Sequence, residues 1–357
     1  MSLRQHKIAV IAGDGIGIEV TAAALNVLKA VEARLGTFRL VFDEFDYGSA
    51  RYKATGAYAP EGWLDHLATS DAILFGAVGD PDVPDHISLW ELILPMRQRF
   101  QQYVNVRPSS VLPGIAPHAT AAAVAGLNWV FVRENTEGEY SGQGGRTHVG
   151  STLEVATDVA VFTRGGVERC MRYAFEVARS RERKLLTVVT KSNAQRYGLV
   201  LWDEVAASVA MDFPDVKWDK MLVDAMTVRM VQKPHSLDTI VATNLHGDIL
   251  TDLAAALSGS IGIAHSSSLD PTRANPSMFE PVHGAAFDIM GRNIANPVAA
   301  MFSAAEMLRW IGEEEAAVLV ERAATQSICG GQVTCDLGGK LSTVEVTRVV
   351  CQMVERL

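Results

Sequence analysis

What the sequence lacks narrows it before any motif is read. Only four of its 357 residues are cysteine, at 170, 329, 335 and 351, with no CxxC pair and no histidines at zinc-finger spacing. A disulfide framework and a zinc knuckle are thereby excluded as organising features, and a reducing, cytoplasmic compartment is expected. No apolar run reaches the roughly 20 residues that a membrane-spanning helix needs. The N-terminus passes directly into a strand-like Ile8, Ala9, Val10, Ile11 without a signal-peptide core, so a soluble, unprocessed protein is expected. No block of lysine and arginine occurs, and 32 basic against 41 acidic residues give a net charge of -9. Nucleic acid and anionic membranes both require clustered cations, which argues against either as a partner. Low-complexity tracts and internal repeats with a period of about 20–50 residues are also missing.

What is present is the composition of an ordinary globular protein, with 48% hydrophobic and 20% charged residues. The length exceeds one hydrophobic core, so two domains are expected. Short β-branched runs at 7–12, 39–45, 72–77, 129–133, 185–190, 217–223 and 239–242 predict strands. Between them, 19–31, 167–181, 198–211 and 226–233 carry helical patterns, a rhythm that signals an α/β sheet. The segment 139–157 is rich in Gly, Ser and Thr and reads as a β-hairpin arm reaching a partner subunit, or equally as a plain surface loop.

Five groups of residues could carry chemistry. Gly13-Asp14-Gly15-Ile16-Gly17 lies between a predicted strand and a predicted helix, but the third glycine of a dinucleotide fingerprint would fall at Ile18. Asn244-Leu245-His246-Gly247-Asp248 continues to Asp252, directly after an apolar strand. If Asp248 opens a helix, the two aspartates sit one turn apart on one face and suit Mg²⁺ or Mn²⁺, with Asp224, at the end of another apolar strand, as a third carboxylate. The bland alternative has Asp248 complementing the helix dipole and Asp252 solvated. Arg97, Arg107 and Arg133 offer guanidinium forks for carboxylates, or else surface ion pairs. Tyr140 and Lys191, the latter closing a strand, are a candidate proton donor and acceptor. Lastly, the stretch from Glu280 through His283, Asp288 and Asn293 to Asn296 could hold adenosine, or be a loop with two turns.

Together these strings resemble one family over essentially the whole chain, the metal-dependent β-decarboxylating dehydrogenases of (R)-hydroxy acids, which include isocitrate and 3-isopropylmalate dehydrogenases. Seven separated motifs occur in the family's order. The resemblance implies a two-domain α/β fold of the isopropylmalate dehydrogenase type, not a true Rossmann fold, with the hairpin arm serving dimerisation. Residues 1–102 and 259–357 would form the cofactor-binding domain, and 103–258 the domain for dimerisation, metal and substrate. By the same resemblance, Arg97, Arg107 and Arg133 hold substrate carboxylates, Asp224, Asp248 and Asp252 bind Mg²⁺ or Mn²⁺, and Tyr140 and Lys191 are acid and base. His283, Gly284, Ala285, Asp288, Ile289 and Asn296 would bind the cofactor. Asp288 can accept from ribose hydroxyls but repels a 2′-phosphate, which favours NAD. The implied assembly is a homodimer whose active sites are shared, with Lys191 and Asp224 coming from the neighbouring subunit. A monovalent cation such as K⁺ is a further requirement that the sequence does not establish.

The substrate expectation turns on the segment before Arg97. Trp90 stands where isopropylmalate enzymes carry a glutamate, with Ile93 and Leu94 in place of their two leucines, while Glu91 and Ile93 replace the Ser and Asn of isocitrate enzymes. Ser88-Leu89-Trp90 and Tyr103-Val104-Asn105 resemble instead the branch acting on tartrate and D-malate. A bulky Trp90 is consistent with a small, four-carbon hydroxy diacid. An isopropylmalate dehydrogenase is the rival within the class. A non-catalytic regulatory subunit, the rival outside it, is disfavoured because the candidate acid, base and metal ligands are all present.

Overall fold

The structure, a computed structural model, describes residues 3–115 and 126–357. In chain order the described strands are β1 (Arg4–Gly13), β2 (Phe38–Phe45), β3 (Ala72–Ala77), β4 (Val104–Ser110), β5 (Asn128–Glu134) and β6 (Gly138–Thr147). They continue as β7 (Val155–Val161), β8 (Leu185–Thr190), β9 (Lys217–Leu222), β10 (Thr239–Ala242), β11 (His265–Leu269) and β12 (Ser277–Pro281). Among the described residues the chain divides into two compact units. One holds Met1–Gln102, Ser110–Ala121 and Ala255–Leu357, the other Tyr103–Ser109 and Ala122–Ala254.

In the first unit the strands lie in the order β2-β1-β3-β12-β11. β1 is parallel to both of its neighbours, β12 is parallel to β3, and only β11 runs antiparallel. All six residues of β3 are buried. A parallel strand covered on both faces needs no polar side, which is why 72–77 is a continuous apolar run. The helix Gly17–Leu35 buries Val20, Ala24, Val27, Leu28 and Val31 at helical spacing and stops at Gly36, whose φ of 62° only glycine adopts readily. Small residues let the helix Val298–Trp310 be buried nearly all round, packed between the helices Gly17–Leu35 and Glu314–Cys329 and against β11 and β12.

The second unit orders its strands β4-β5-β10-β8-β9, with β5, β10, β8 and β9 parallel. The helix Arg164–Ser180, capped by the Thr163 hydroxyl, packs against β5, β8 and β10. β6 and β7 stand apart as a two-stranded antiparallel hairpin, so the Gly-rich segment expected as an arm is indeed a hairpin. Among the described residues no helix is long and apolar enough to cross a membrane.

Two expected boundaries are corrected. β9 ends at Leu222 and the helix Val223–Gln232 follows at once, so Asp224 lies in a helix's first turn instead of closing a strand. An acidic side chain there complements the helix dipole, which favours the earlier start. After β10 the helix Asn244–Ser258 begins at Asn244, so Asp248 lies a full turn inside it and does not open it. The Thr243 hydroxyl accepts from His246 N, and Gly247 N already bonds to Thr243 O at 2.8 Å.

Within the first unit, Glu313 ties the chain's start to its end. Its side chain is 4% exposed and receives Arg4 Nε and Nη2, each at 2.8 Å, while His6 Nε2 lies 2.9 Å away. Burial raises the Glu313 carboxyl, but the bonds and charge of Arg4 and His6 outweigh it and the net shift is downward. A depressed folded pKa means that the stabilisation is present above the unfolded value of about 4.3 and is lost as pH falls through the lower folded value. Glu313→Gln is expected to cost about 1–3 kcal/mol near neutral pH. In urea unfolding followed from pH 7 to pH 3, that gap between variant and wild type narrows; a gap independent of pH contradicts the assignment.

Candidate active site

In the second unit, several side chains converge on the carboxylate of Asp248. Arg133, in the penultimate position of β5, donates from Nη1 to Asp248 Oδ1. Arg107, on β4, places Nη2 3.3 Å from the same oxygen, and Tyr140, at the base of the β6 hairpin, donates its hydroxyl to Asp248 Oδ2 at 3.3 Å. The Arg133 guanidinium also lies over the Tyr140 ring, 5.5 Å from its centre. Both arginine side chains are buried, at 8% and 3% exposure for Arg107 and Arg133, whereas Asp248 is 40% exposed. Buried guanidiniums are stable only with their N–H groups satisfied. For Arg107 this comes from Asn105 Oδ1 and Thr251 Oγ1, each at 2.6 Å; for Arg133 it comes from Asn244 Oδ1, at 3.0 and 2.7 Å.

Asn244, Asp248, Thr251 and Asp252 occupy one face of the helix Asn244–Ser258, as positions three and four apart must. The surrounding protein and then the Asp248 charge push the Asp252 carboxyl up, against Arg107 and Arg133. Two carboxylates one turn apart resist being charged together, and a divalent cation with oxygen ligands relieves that conflict, so this pair fits such an ion. Asp224 is held elsewhere, by Lys191 Nζ at 2.6 Å, a bond that draws its carboxyl below the usual range. Among the described residues no three Asp, Glu, His or Cys side chains of this chain are grouped as a metal site. Nearby, His246 is 8% exposed and burial pushes its pKa down.

The first unit carries the other candidate residues. Arg97 is buried and meets Glu280 Oε1 at 3.2 Å, with its Nε unpartnered among the described residues. Trp90 lies on a π-helical turn, Leu89–Ile93, and is 40% exposed. Such turns are uncommon and often re-aim side chains at functional sites. His283 is 8% exposed, and burial pushes its pKa down, so the ring is neutral at pH 7. With Nδ1 donating to Gly284 O at 3.0 Å, Nε2 is left as a buried acceptor without a donor among the described residues. Asn296 donates to Asp336 Oδ2 at 2.9 Å and accepts from Val298 N, while Asp288 is exposed. An orphaned acceptor beside the open backbone of Gly284, where an added Cβ meets nothing within 4 Å, fits a hydroxylated ligand such as a ribose.

Gly13 and Gly15 serve close packing of the backbone. At Gly13, with φ of 70°, a Cβ would lie 1.9 Å from Ala77 O; at Gly15, with φ of 57°, it would lie 1.9 Å from Ala285 O. The turn is held against the 283–288 loop by the Ile16 N to Ala285 O bond at 2.8 Å. Glycine is therefore required for loops to meet, independently of any phosphate.

Sequence reasoning singled out the arginines but assigned no role to Asn105 or Thr251, and it quoted Asn244 only as the start of a motif. The available signal was periodicity: residues 244, 248 and 251 share a helical face with 252. Glu134 was likewise passed over. Fully buried, its carboxylate accepts from Thr136 N, Thr136 Oγ1 and Glu137 N at 2.8–2.9 Å and shapes the turn from β5 into the hairpin.

Residues 7–353 match the family model described as isocitrate/isopropylmalate dehydrogenase. Among curated proteins the chain is 58% identical, over 99% of its length and 98% of the relative's, to a probable tartrate dehydrogenase/decarboxylase of Agrobacterium vitis. It is 44% identical, over 99% of this chain and all of the other, to the decarboxylating D-malate dehydrogenase of Escherichia coli. The crystal structure of isocitrate dehydrogenase from Methylococcus capsulatus superposes with a TM-score of 0.89 at 35% identity, covering 98% of this chain and 99% of that one.

The glycine contacts yield a stability contrast. Gly13→Ala is expected to cost more than about 3 kcal/mol, through the forced left-handed backbone and the clash with a carbonyl, whereas Gly284→Ala stays within about 0.5 kcal/mol of wild type. Thermal melts of the two variants check this, and equal Tm values contradict it.

Proposed function

The chain belongs to the isocitrate/isopropylmalate dehydrogenase family and is a dehydrogenase; from that premise we propose that it oxidises tartrate and oxidatively decarboxylates D-malate to pyruvate and CO₂, using NAD and Mg²⁺ or Mn²⁺. The observation that carries this reading is the convergence of Arg107, Arg133 and Tyr140 on the Asp248 carboxylate. The relatives named for tartrate and D-malate support the choice of acid, as does Trp90 on its π-helical turn.

In this reading Arg97, Arg107 and Arg133 bind and orient the two carboxylates of the substrate, each through the fork geometry that suits a planar anion. Asp248 and Asp252, joined by Asp224, hold the divalent cation, and the buried acceptor of His283, with Gly284, Ala285, Asp288, Ile289 and Asn296, receives NAD. When bound, the cation supplies a Lewis acid that makes the substrate hydroxyl more acidic, and NAD supplies the hydride acceptor for C2. Lys191, once its own acidic proton has passed to solvent, removes the hydroxyl proton through a water molecule. Once the keto acid from D-malate has lost CO₂, Tyr140 gives its phenolic proton to C3 and pyruvate forms. Tartrate, passing only the first step, gives oxaloglycolate.

A homodimer completes the site, with Lys191 and Asp224 supplied by the partner subunit. The hairpin supports this assembly because it exposes Leu153, Val155 and Val159, apolar side chains that water does not favour. The cofactor domain is assigned to 1–102 and 259–357, and the dimer and metal domain to 103–258. Four free thiols suit a reducing cytoplasm. Because Asp248 occupies both arginines and is also a cation ligand, cation and diacid reinforce each other's binding.

NADH formation with D-malate, tartrate and 3-isopropylmalate, with and without Mn²⁺, tests the assignment. The four-carbon acids with Mn²⁺ are expected to give the highest kcat/KM, and activity disappears with a chelator. A preference for isopropylmalate contradicts the substrate, and no turnover with any of the three contradicts the enzyme. Tyr140→Phe is expected to lower pyruvate formation from D-malate by about 10²-fold or more, the scale of a lost general acid, with binding little changed; unchanged turnover removes Tyr140 from the mechanism.

A further inference from the structure

Within the second unit, Tyr140 reaches Asp248 from an irregular stretch of the hairpin. β6 pairs with β7 at Gly138 opposite Val161 and next at Gln143 opposite Val159, so residues 139–142 of β6 stand where β7 has Ala160 alone. A bulge of this kind takes its residues out of the ladder, bends the strand and re-aims their side chains. Gly138 and Gly142, with φ of 72° and 73°, bracket it in the left-handed region. Tyr140 therefore sits between two permissive joints, and strand pairing by itself does not fix where its hydroxyl ends.

Side-chain bonds supply what the ladder lacks. Inside the bulge, the Ser141 hydroxyl donates to Val159 O on the opposite strand at 2.8 Å. At its root, the Glu137 carboxylate accepts from Thr163 Oγ1 at 2.6 Å and Thr163 N at 3.0 Å. Thr163 caps the helix Arg164–Ser180, so these two bonds clamp the entry of β6 to the exit of β7. Gly166 leaves room for the clamp, because a Cβ there would come within 2.4 Å of the Glu137 carboxylate. Asn244 Nδ2 also donates to Glu137 O at 3.3 Å, which ties the root to the helix that carries Asp248. With the root held on both sides, the remaining freedom of Tyr140 lies in the bulge, and Ser141 is the neighbour that bonds across it.

We propose that Ser141 is a positioning residue for Tyr140, its hydroxyl locking the bulge in the shape that brings the phenol to Asp248 Oδ2, while Glu137 holds the root. Ser141 touches no reacting atom in this role. The inference rests on the reading of Tyr140 as the proton donor to C3, and its test separates the two.

Only the D-malate branch of the proposed mechanism uses the Tyr140 proton; tartrate, ending at oxaloglycolate, does not. Ser141→Ala is therefore expected to lower kcat for pyruvate formation from D-malate about fivefold, the scale of one neutral hydrogen bond. In the same variant kcat for NADH formation from tartrate and the KM values of both acids stay within about twofold, and Tm is retained. Glu137→Ala gives the same selective loss. Added to Tyr140→Phe, Ser141→Ala lowers pyruvate formation no further, because both changes act through one hydroxyl. A readout independent of turnover is fluorine NMR of protein labelled with fluorotyrosine, in which the signal that vanishes in Tyr140→Phe is assigned to Tyr140. That signal is expected to move in Ser141→Ala, and an unmoved signal overturns the proposal. So does an equal loss with both acids, the mark of a merely structural residue, or unchanged pyruvate formation in Ser141→Ala where Tyr140→Phe lowers it. If Tyr140→Phe leaves pyruvate formation unchanged, or the wild type turns over neither acid, while the signal still moves in Ser141→Ala, the hold on Tyr140 stands and the reading of Tyr140 as the acid falls.

Discussion

Two buried guanidinium groups meeting one half-exposed carboxylate is the constraint from which the second unit's chemistry follows. Arg133 and Arg107 cannot be buried without acceptors, and Asp248 supplies the one they share. To do so it must project from the helix Asn244–Ser258 at the turn that faces β4 and β5, which fixes Asn244 and Thr251 on the same face as further acceptors. Tyr140 reaches the other carboxylate oxygen, so the hairpin's base is set by the same anchor. Two buried arginines are thus gathered at one point inside a chain whose net charge is -9. Net charge describes solubility; the local field decides which ligand is accepted.

The first unit solves a different problem, that of bringing several loops together at the ends of parallel strands. Gly13 and Gly15 remove side chains where backbones meet, and Asp14 accepts the amides left over. Parallel α/β sheets place ligands beyond the carboxyl ends of their strands for this reason, since only loops are free to converge there. His283, neutral and with one ring nitrogen already committed to Gly284 O, presents its other nitrogen as an acceptor in that region.

Much of this was legible in the sequence because it rests on local pattern. The strands at 72–77, 185–190 and 239–242 carry their burial in continuous apolar runs, and the structure has them with the same bounds. The hairpin announced itself through Gly, Ser and Thr. The start of the helix at Val223 was less legible, because Met221-Leu222-Val223 passes from strand to helix with no breaker between, whereas at Asn244 the signal present was Thr243, a capping residue one position ahead. Residues that support a site from a distance were the hardest to see. Asn105 and Thr251 act by completing another side chain's hydrogen bonds, and that depends on three-dimensional neighbours separated by up to 144 positions. The glycine-rich turn was ambiguous in sequence for a related reason, since close packing of backbone and cradling of phosphate both call for glycine.

The claim on which the functional account depends is that Asp248 occupies Arg107 and Arg133 until a divalent cation shares its charge, so that cation and dicarboxylate bind as a pair. Calorimetric titration of D-malate into the NAD-free protein, with and without Mn²⁺, tests this directly. The account predicts an affinity at least about tenfold higher with Mn²⁺, a coupling of about 1.4 kcal/mol. Equal affinity in the two titrations would contradict it.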